Sequence, residues 1–302
     1  MTLPPDSTSR TPAPGGLPAA ASLSVRPTLQ GPPVPARVLA AFPAAVYLRT
    51  ADGEVLALLT RDAVRLPNGL VLPSHSTSAP FEELVRRVAE VGAGTIPAHC
   101  GGGVVRVGPL LCHTVRWWAP LRPRPPGDPL RWRASVHALG RGLRASRASG
   151  GPASGLPAEG RAALRALAAR AARQDSDGCA KQALRLVGLG PGLTPSGDDV
   201  LCGFLLALRH LGGRPLAAPV HHAGRTTQLS AALLDHAARG DGCDPLVRLL
   251  DAVAGHTSVP AALAVLLAVG HTSGADLALG VLAGAHAVLA RGSETPQWKE
   301  SV

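Results

Sequence analysis

The residues best suited to chemistry lie at positions 188–199, which read Gly-Leu-Gly-Pro-Gly-Leu-Thr-Pro-Ser-Gly-Asp-Asp. Glycines at alternate positions permit backbone turns closed to other residues and let a ligand approach the main chain closely. Pro195 suits the first turn of a helix, and Ser196 with Asp199 fits an S-x-x-D capping box. The segment therefore predicts a glycine loop leading into a helix N-terminus, a geometry that favours anion binding. The alternative interpretation is a tight, well-capped turn between two helices.

A second copy of this helix start occurs 77 residues later. The pattern S-G-x-D, three apolar residues, Gly, an apolar residue and Leu begins at Ser196 and again at Ser273. In each copy the later Gly lies one helical turn after the Asp, on the same helix face. We expect the two helices to pack side by side, with their positive ends converging on one pocket. The alternative is a chance resemblance in a chain rich in Ala, Gly and Leu.

Two residues near these helix starts are predicted to be catalytic, namely Asp198 and His271. The cap does not need Asp198, so its carboxylate could accept from an NH₂ group, act as a base, or bind a divalent metal ion together with Asp199. It could also be an acid that the helix dipole favours. A neutral His271 could donate a hydrogen bond to a carbonyl or phosphoryl oxygen, or only to the local backbone. The predicted substrate-binding residues are Gly190, Gly192, Thr194, Ser196, Gly197, Asp199, Ser273, Gly274 and Asp276.

The elements that position these residues fall into two parts of different composition. Residues 1–35 are rich in Pro, Ser, Thr, Ala and Gly and are predicted to form a disordered tail. Residues 36–150 contain short apolar runs, with Asp52-Gly53 and Asn68-Gly69 as hairpin signals, and predict a small, mainly antiparallel β domain. Residues 159–292 have helical periodicity with short connections and predict an all-α domain that carries the glycine-loop site. The fold class is therefore α+β.

The predicted helices have the following approximate bounds. They are Pro80–Val91, part of Leu130–Arg147, Glu159–Arg173, Asp177–Val187, Ser196–Leu211, Gly224–Ala238, Pro245–Ala254, Val259–Val269 and Ser273–Ala290. A composition break at residues 119–158, rich in Pro and Arg, places the predicted domain boundary near 150–158.

The charge of the chain is unevenly distributed. Residues 1–158 carry 17 Arg, no Lys and 8 acidic residues, a net charge of +9, whereas residues 159–302 carry only +1. Residues 106–147 contain nine arginines and one acidic residue, Asp128, and three tryptophans occur among the arginines in the sequence. This stretch could be a solvated linker, a surface for an acidic partner subunit, or a binding site for single-stranded nucleic acid. Lys is almost absent from the chain, at Lys181 and Lys299 only, which weakens a functional interpretation of each Arg. Nucleic-acid binding is therefore the least favoured of the three.

Several classes of protein are set aside. The N-terminal residues lack the pattern of a secretory signal peptide, and the apolar runs at Pro260–Val269 and Leu277–Ala285 are too short to span a bilayer. Five cysteines without CxxC spacing predict neither a disulfide framework nor a zinc finger. We therefore expect a cytoplasmic protein that does not bind a membrane.

The motifs resemble those of a bacterial family of formerly unknown function that includes the oxamate carbamoyltransferase subunit AllH of allantoin catabolism and purine degradation. The resemblance rests on the segment 188–199, on Thr226 and Ser230, and on Gly270-His-Thr-Ser-Gly-Ala-Asp276. It implies a transferase subunit in a multi-subunit complex, with partner subunits and with a small anionic substrate such as carbamoyl phosphate or phosphate. It also implies carbamoyl transfer between oxalurate and phosphate, giving oxamate and carbamoyl phosphate. The alternative function is a non-catalytic scaffold or regulatory subunit of such a complex.

Overall fold

The computed structural model describes residues 16–216 and 224–291. The chain divides into two compact units between Ala119 and Pro120, and each unit is described by itself. This division assigns the arginine-rich segment after Pro120 to the second unit, whereas the sequence places the boundary near 150–158.

The first unit is a closed eight-stranded barrel with the strand order β1-β5-β4-β3-β2-β6-β7-β8. Its strands are β1 (Leu17–Ser22), β2 (Val34–Phe42), β3 (Ala45–Thr50), β4 (Val55–Leu59), β5 (Gly69–Val71), β6 (Pro97–Gly101), β7 (Val104–Val107) and β8 (Leu110–Trp118). Two helices accompany the strands, α1 (Arg26–Gln30) and α2 (Glu82–Val91). The strand β4 is buried along its whole length, because Leu56 and Leu58 join the main barrel core while Ala57 and Leu59 join a smaller cluster on its other face.

The prediction of a small, mainly antiparallel β domain is wrong. The barrel is mixed, because β1 pairs in parallel with β8 and β4 pairs in parallel with β5. The signal at Asp52-Gly53 does join an antiparallel pair, β3 and β4. The signal at Asn68-Gly69 does not form a hairpin: Asn68 is buried and donates from Nδ2 to the carbonyl of Val55 at 3.0 Å. A turn signal indicates only a local change of direction, and here the chain returns through residues 60–68 so that β5 runs parallel to β4.

The predicted disordered tail is also wrong over the residues that the structure describes. Residues 17–22 form β1, whose side chains Ala19 and Ala21 are buried in the barrel core. The sequence LPAAAS has low intrinsic preference for a strand, so its conformation comes from pairing with β8 and β5, which closes the barrel. The rest of the predicted tail, residues 1–15, lies outside the described residues.

The second unit is helical in the described range, as the sequence predicts. Its helices are α3 (Pro129–Ala148), α4 (Ala158–Ala172), α5 (Ser176–Leu184), α6 (Ser196–His210), α7 (Gln228–Arg239), α8 (Asp244–Val253), α9 (Val259–Leu267) and α10 (Ser273–Arg291). The proline-rich stretch before α3 lies along this unit, because Arg124 forms a two-pronged ion pair with Asp251, with nitrogen–oxygen distances of 3.0 and 2.8 Å. Arg122 pairs with Asp241 at 2.7 Å in the same stretch.

The helices α6 and α10 form the centre of the unit and pack closely on each other. A Cβ added at Gly203 would lie 2.1 Å from the carbonyl oxygen of Leu277, and one added at Gly280 would lie 2.0 Å from that of Val200. Only glycine permits so close an approach of two helix backbones. Among the described helices, α10 is long and apolar enough to cross a membrane, and 61% of its most apolar window is buried within the structure, which is also typical of a core helix.

Candidate functional site

The candidate site lies where the glycine loop meets the N-terminal turns of α6 and α10. The loop glycines Gly188, Gly190 and Gly192 have φ angles of +71°, +113° and +97°, which favour glycine. At Gly188 the requirement is absolute, because a Cβ would lie 1.9 Å from the carbonyl oxygen of Arg225. The amide of Gly197 donates to the carbonyl of Leu189 at 2.8 Å, which closes the loop onto the first turn of α6.

The capping box predicted for the first copy is wrong. The N-cap of α6 is Pro195, and no side chain caps this helix. The serine and aspartate instead interact across the two copies. The hydroxyl of Ser273 lowers the pKa of the Asp199 carboxyl, and that of Ser196 lowers the pKa of the Asp276 carboxyl. The repeated pattern therefore serves contacts between the two helices.

The Asp198 carboxylate is buried and engages two other segments of the chain. Its Oδ1 accepts from the backbone amide of Gly188 at 2.9 Å. Its Oδ2 accepts from the hydroxyls of Thr226 and Ser230, the latter at 2.8 Å. Asp198 thus ties the glycine loop to the N-terminal end of α7. The sequence did not indicate this role, although it singled out Thr226 and Ser230 as part of the family pattern.

Asp199 and Asp276 are neighbouring buried carboxyls, one on each copy of the helix start. Burial raises the pKa of Asp199 to about 8, and the nearby Asp276 raises it further, against the lowering effect of the Ser273 and Thr194 hydroxyls. Burial also raises the pKa of Asp276. Within the described structure, the Oδ2 atoms of Asp199 and Asp276 are buried without a hydrogen-bond partner. A buried carboxyl that cannot be paired takes up a proton instead, so Asp199 is largely neutral at pH 7.

Of the other predicted residues, some are exposed at the rim of the site and others are buried in the packing beneath it. Gly192 and His271 are exposed. Thr194 lies at the junction, where its Oγ1 is 3.2 Å from the Oγ of Ser273. Gly197 and Gly274 are buried. An added Cβ would lie 1.9 Å from the carbonyl oxygen of Leu186 at Gly197, and 1.9 Å from that of Leu266 at Gly274. At Gly190, a Cβ would lie 3.1 Å from the amide nitrogen of Ser196.

The segment 154–156, which the sequence did not single out, passes over both helix starts. The hydroxyl of Ser154 donates to Oδ1 of Asp276 at 2.5 Å and accepts from the amide of Leu156 at 3.1 Å. A Cβ on Gly155 would lie 2.6 Å from the Oγ of Ser196 and 3.3 Å from Thr272. No local pattern could have identified Ser154, because it lies 122 residues from Asp276.

A divalent metal ion held by Asp198 and Asp199 does not fit these surroundings. Both oxygens of Asp198 already accept hydrogen bonds from the protein, so this carboxylate is committed to Gly188, Thr226 and Ser230. In residues 16–216 and 224–291, no group of three or more His, Cys, Asp or Glu side chains is arranged to hold a metal. The arrangement suits hydrogen bonding to a small polar ligand better than metal chemistry.

Comparison with known proteins bears on one part of the chain. No solved structure matches it. The segment that contains the glycine loop, α6 and most of α10 matches a known family, and this confirms the resemblance that the motifs indicate. Residues 186–285 of this chain match the family described as oxamate carbamoyltransferase subunit AllH.

Proposed function

We propose that this chain is a subunit of a carbamoyltransferase-type complex and binds a small anion at the junction of α6 and α10. The ligand class is carbamoyl phosphate, phosphate or an oxamate-like acid. The name of the matching family supports the carbamoyl chemistry, and the geometry of the two helix starts supports the position.

The observation that carries the proposal is the pair of buried carboxyls at the two helix starts, Asp199 and Asp276, each with an Oδ2 atom that has no hydrogen-bond partner in the described structure. Helix N-termini favour anions, but an ionised carboxylate in the first turn would repel them. The raised pKa of Asp199, about 8, leaves this position largely uncharged at pH 7. The junction therefore retains the positive end of each helix dipole and gains a carboxylic acid proton, which can be donated to an oxygen of the ligand.

The surrounding groups supply complementary hydrogen bonds for a carbamoyl group. The partnerless Oδ2 of Asp276 is an acceptor suited to an NH₂ group. The hydroxyls of Thr194 and Ser273 can donate or accept. His271, exposed at the turn before α10, would hold or move a proton at the rim once a ligand is bound.

Isothermal titration of the full-length protein with carbamoyl phosphate, phosphate and oxamate tests this proposal. We expect at least one anion to bind at pH 6.5–7, and its affinity to fall as pH rises through about 8, where Asp199 ionises. Asp199→Asn removes the titrating group at this position and should flatten most of this pH dependence. The matched control Asp235→Asn changes an exposed acid on α7 and should behave like the wild type. An affinity that is equal at pH 6.5 and 9 in the wild type would contradict the role of Asp199.

A second candidate function is a non-catalytic subunit of the same complex. It is favoured by the environment of Asp198, whose two oxygens are committed to Gly188, Thr226 and Ser230 and are not free to act as a base. The two candidates differ in the effect of His271→Ala on a reconstituted complex. A catalytic role predicts a lower kcat with an unchanged melting temperature, whereas a non-catalytic subunit predicts no change in kcat.

A further inference from the structure

A second polar site lies in a cavity of about 420 Å³ formed by α3, α4, α10 and the segment before α4. Three arginines line it: Arg144 and Arg147 on α3, and Arg161 on α4. Ser154 lies at the same wall. The sequence did not indicate this cavity: it placed Arg144 and Arg147 in the arginine-rich stretch 106–147 and did not single out Arg161.

The charged side chains that line this cavity are all positive. Arg144 and Arg147 are three residues apart, so their side chains lie on the same face of α3 and repel each other. No acidic residue lines the cavity. In the part of the chain that the structure describes, neither Arg144 nor Arg147 has a carboxylate within ion-pair distance. Arg161 is held in place by donating from Nη1 to the carbonyl of Leu156, so part of the positive charge is fixed before any ligand binds.

The remaining wall is apolar and is formed in part by Leu143, Leu279 and Leu282. A cavity of this size falls within the range that encloses organic ligands, typically about 300–1,000 Å³. Phosphate or oxamate alone would leave the leucine wall uncovered. The combination of three guanidinium groups with an apolar wall therefore favours an organic anion with a non-polar body over a simple inorganic anion.

We propose that this cavity binds an organic anion that carries at least two negative charges and an apolar body. A phosphate monoester and a dicarboxylate share this chemistry, since guanidinium groups recognise both through paired N–H···O bonds. The cavity adjoins the junction of α6 and α10 through Ser154, which lines the cavity and donates to Asp276. Its three arginines lie on α3 and α4, outside the junction, so the proposal does not depend on the function proposed there.

Binding can be measured by calorimetry on the full-length protein, with phenyl phosphate and phthalate as the two charged probes. Inorganic phosphate lacks the apolar body, and benzyl alcohol lacks the charge. We expect one or both charged probes to bind at least tenfold more tightly than either of these controls. The preference between phenyl phosphate and phthalate identifies the ligand class.

The double variant Arg144→Gln, Arg147→Gln should weaken binding of the charged probe by at least tenfold. Both side chains are exposed, so the fold should be retained, and a circular dichroism melt checks this. Arg141→Gln, an exposed arginine on the same helix that does not line the cavity, is the matched control and should bind as the wild type does.

Three results would overturn the proposal. The first is the absence of saturable binding of either charged probe at millimolar concentration. The second is equal affinity in the double variant and the Arg141→Gln control. The third is binding of poly-glutamate, but not of the small probes, through Arg144 and Arg147, because these arginines would then form a surface for an acidic polypeptide.

Discussion

Gly203 on α6 lies against the backbone of Leu277 on α10, so closely that an added Cβ would be 2.1 Å from the carbonyl oxygen. The equivalent glycine of the other copy, Gly280, lies in the same way against Val200, at 2.0 Å. The two copies of the S-G-x-D pattern thus contact each other reciprocally, because the glycine of each helix packs against the backbone of the other helix. This close crossing brings the buried carboxyls of Asp199 and Asp276 near each other at the helix starts.

Gly203→Ala should destabilise the protein by about 3 kcal/mol, because the new methyl group forces the two helix backbones apart. Helix propensity alone predicts the opposite sign, since Ala is favoured over Gly by about 1 kcal/mol in a helix interior. Urea unfolding followed by circular dichroism measures the difference. Gly127→Ala is the control, because a Cβ at Gly127 meets no atom within 4 Å. A Gly203→Ala protein as stable as this control would refute the close crossing.

The stability of the protein should fall as pH rises from about 4 to about 8, in part because of Asp199. The pKa of its carboxyl is raised from 3.8 to about 8 in the folded protein, so the folded state binds more protons than the unfolded state over this interval. The linked loss of stability is on the order of 5 kcal/mol, complete once pH exceeds the folded pKa.

Asp199→Asn should flatten most of this pH dependence, since the amide does not titrate. The variant should keep a smaller decrease of stability with rising pH, because the pKa of the buried Asp276 is also raised. Chemical denaturation at a series of pH values measures both curves, with Asp235→Asn expected to run parallel to the wild type. Parallel curves for Asp199→Asn and the wild type would show that Asp199 is ionised in the folded protein.

Asp198→Ala should destabilise the protein by about 3 kcal/mol even without any ligand, because it leaves the buried donor of Ser230 and the partly buried donors of Gly188 and Thr226 unpaired. Ser230→Ala removes only one of the three donors and should cost less, about 1 kcal/mol. Thermal melts of the two variants, compared with Asp235→Ala, provide the measurement. If Asp198 served only in chemistry, its replacement would leave the melting temperature unchanged.

The ion pair between Arg124 and Asp251 should hold the stretch before α3 against the helical unit. The guanidinium of Arg124 lowers the pKa of the Asp251 carboxyl, so Arg124→Gln should raise that pKa toward its ordinary value, as measured by NMR titration. A carboxyl with a lowered pKa stabilises the fold above its ordinary range and loses this effect as pH falls. The variant should therefore be less sensitive to acid than the wild type. Arg133→Gln, an exposed change on α3, should leave the titration of Asp251 unaltered.

The same ion pair bears on the nucleic-acid alternative. Arg122 and Arg124 are engaged by Asp241 and Asp251, so two of the arginines in the basic stretch already have protein partners. We expect weak binding of single-stranded nucleic acid at most. A salt titration that shows tight, strongly salt-dependent binding to a single strand would contradict this.

The helices of the second unit could be predicted from the sequence because apolar periodicity, prolines and caps act within a few residues. The bounds of α6, predicted at Ser196–Leu211 and found at Ser196–His210, illustrate this. The repeated pattern also indicated that α6 and α10 pack together, since small residues at equal spacing identify matched faces. The barrel could not be predicted in the same way: β1 has an alanine-rich sequence, and its parallel pairing with β8 joins distant parts of the unit.

For the candidate site, the sequence by itself determined the glycine loop and the positions of the two helix starts, because glycine conformation and helix initiation are local properties. Only the tertiary structure decided what each carboxyl does. Asp198 is committed to partners 10, 28 and 32 residues away, Asp276 accepts from Ser154 at a separation of 122 residues, and Asp199 is left with an unpaired oxygen. The protonation and partners of a buried acid depend on the atoms that fold around it, and spacing along the chain does not specify these atoms.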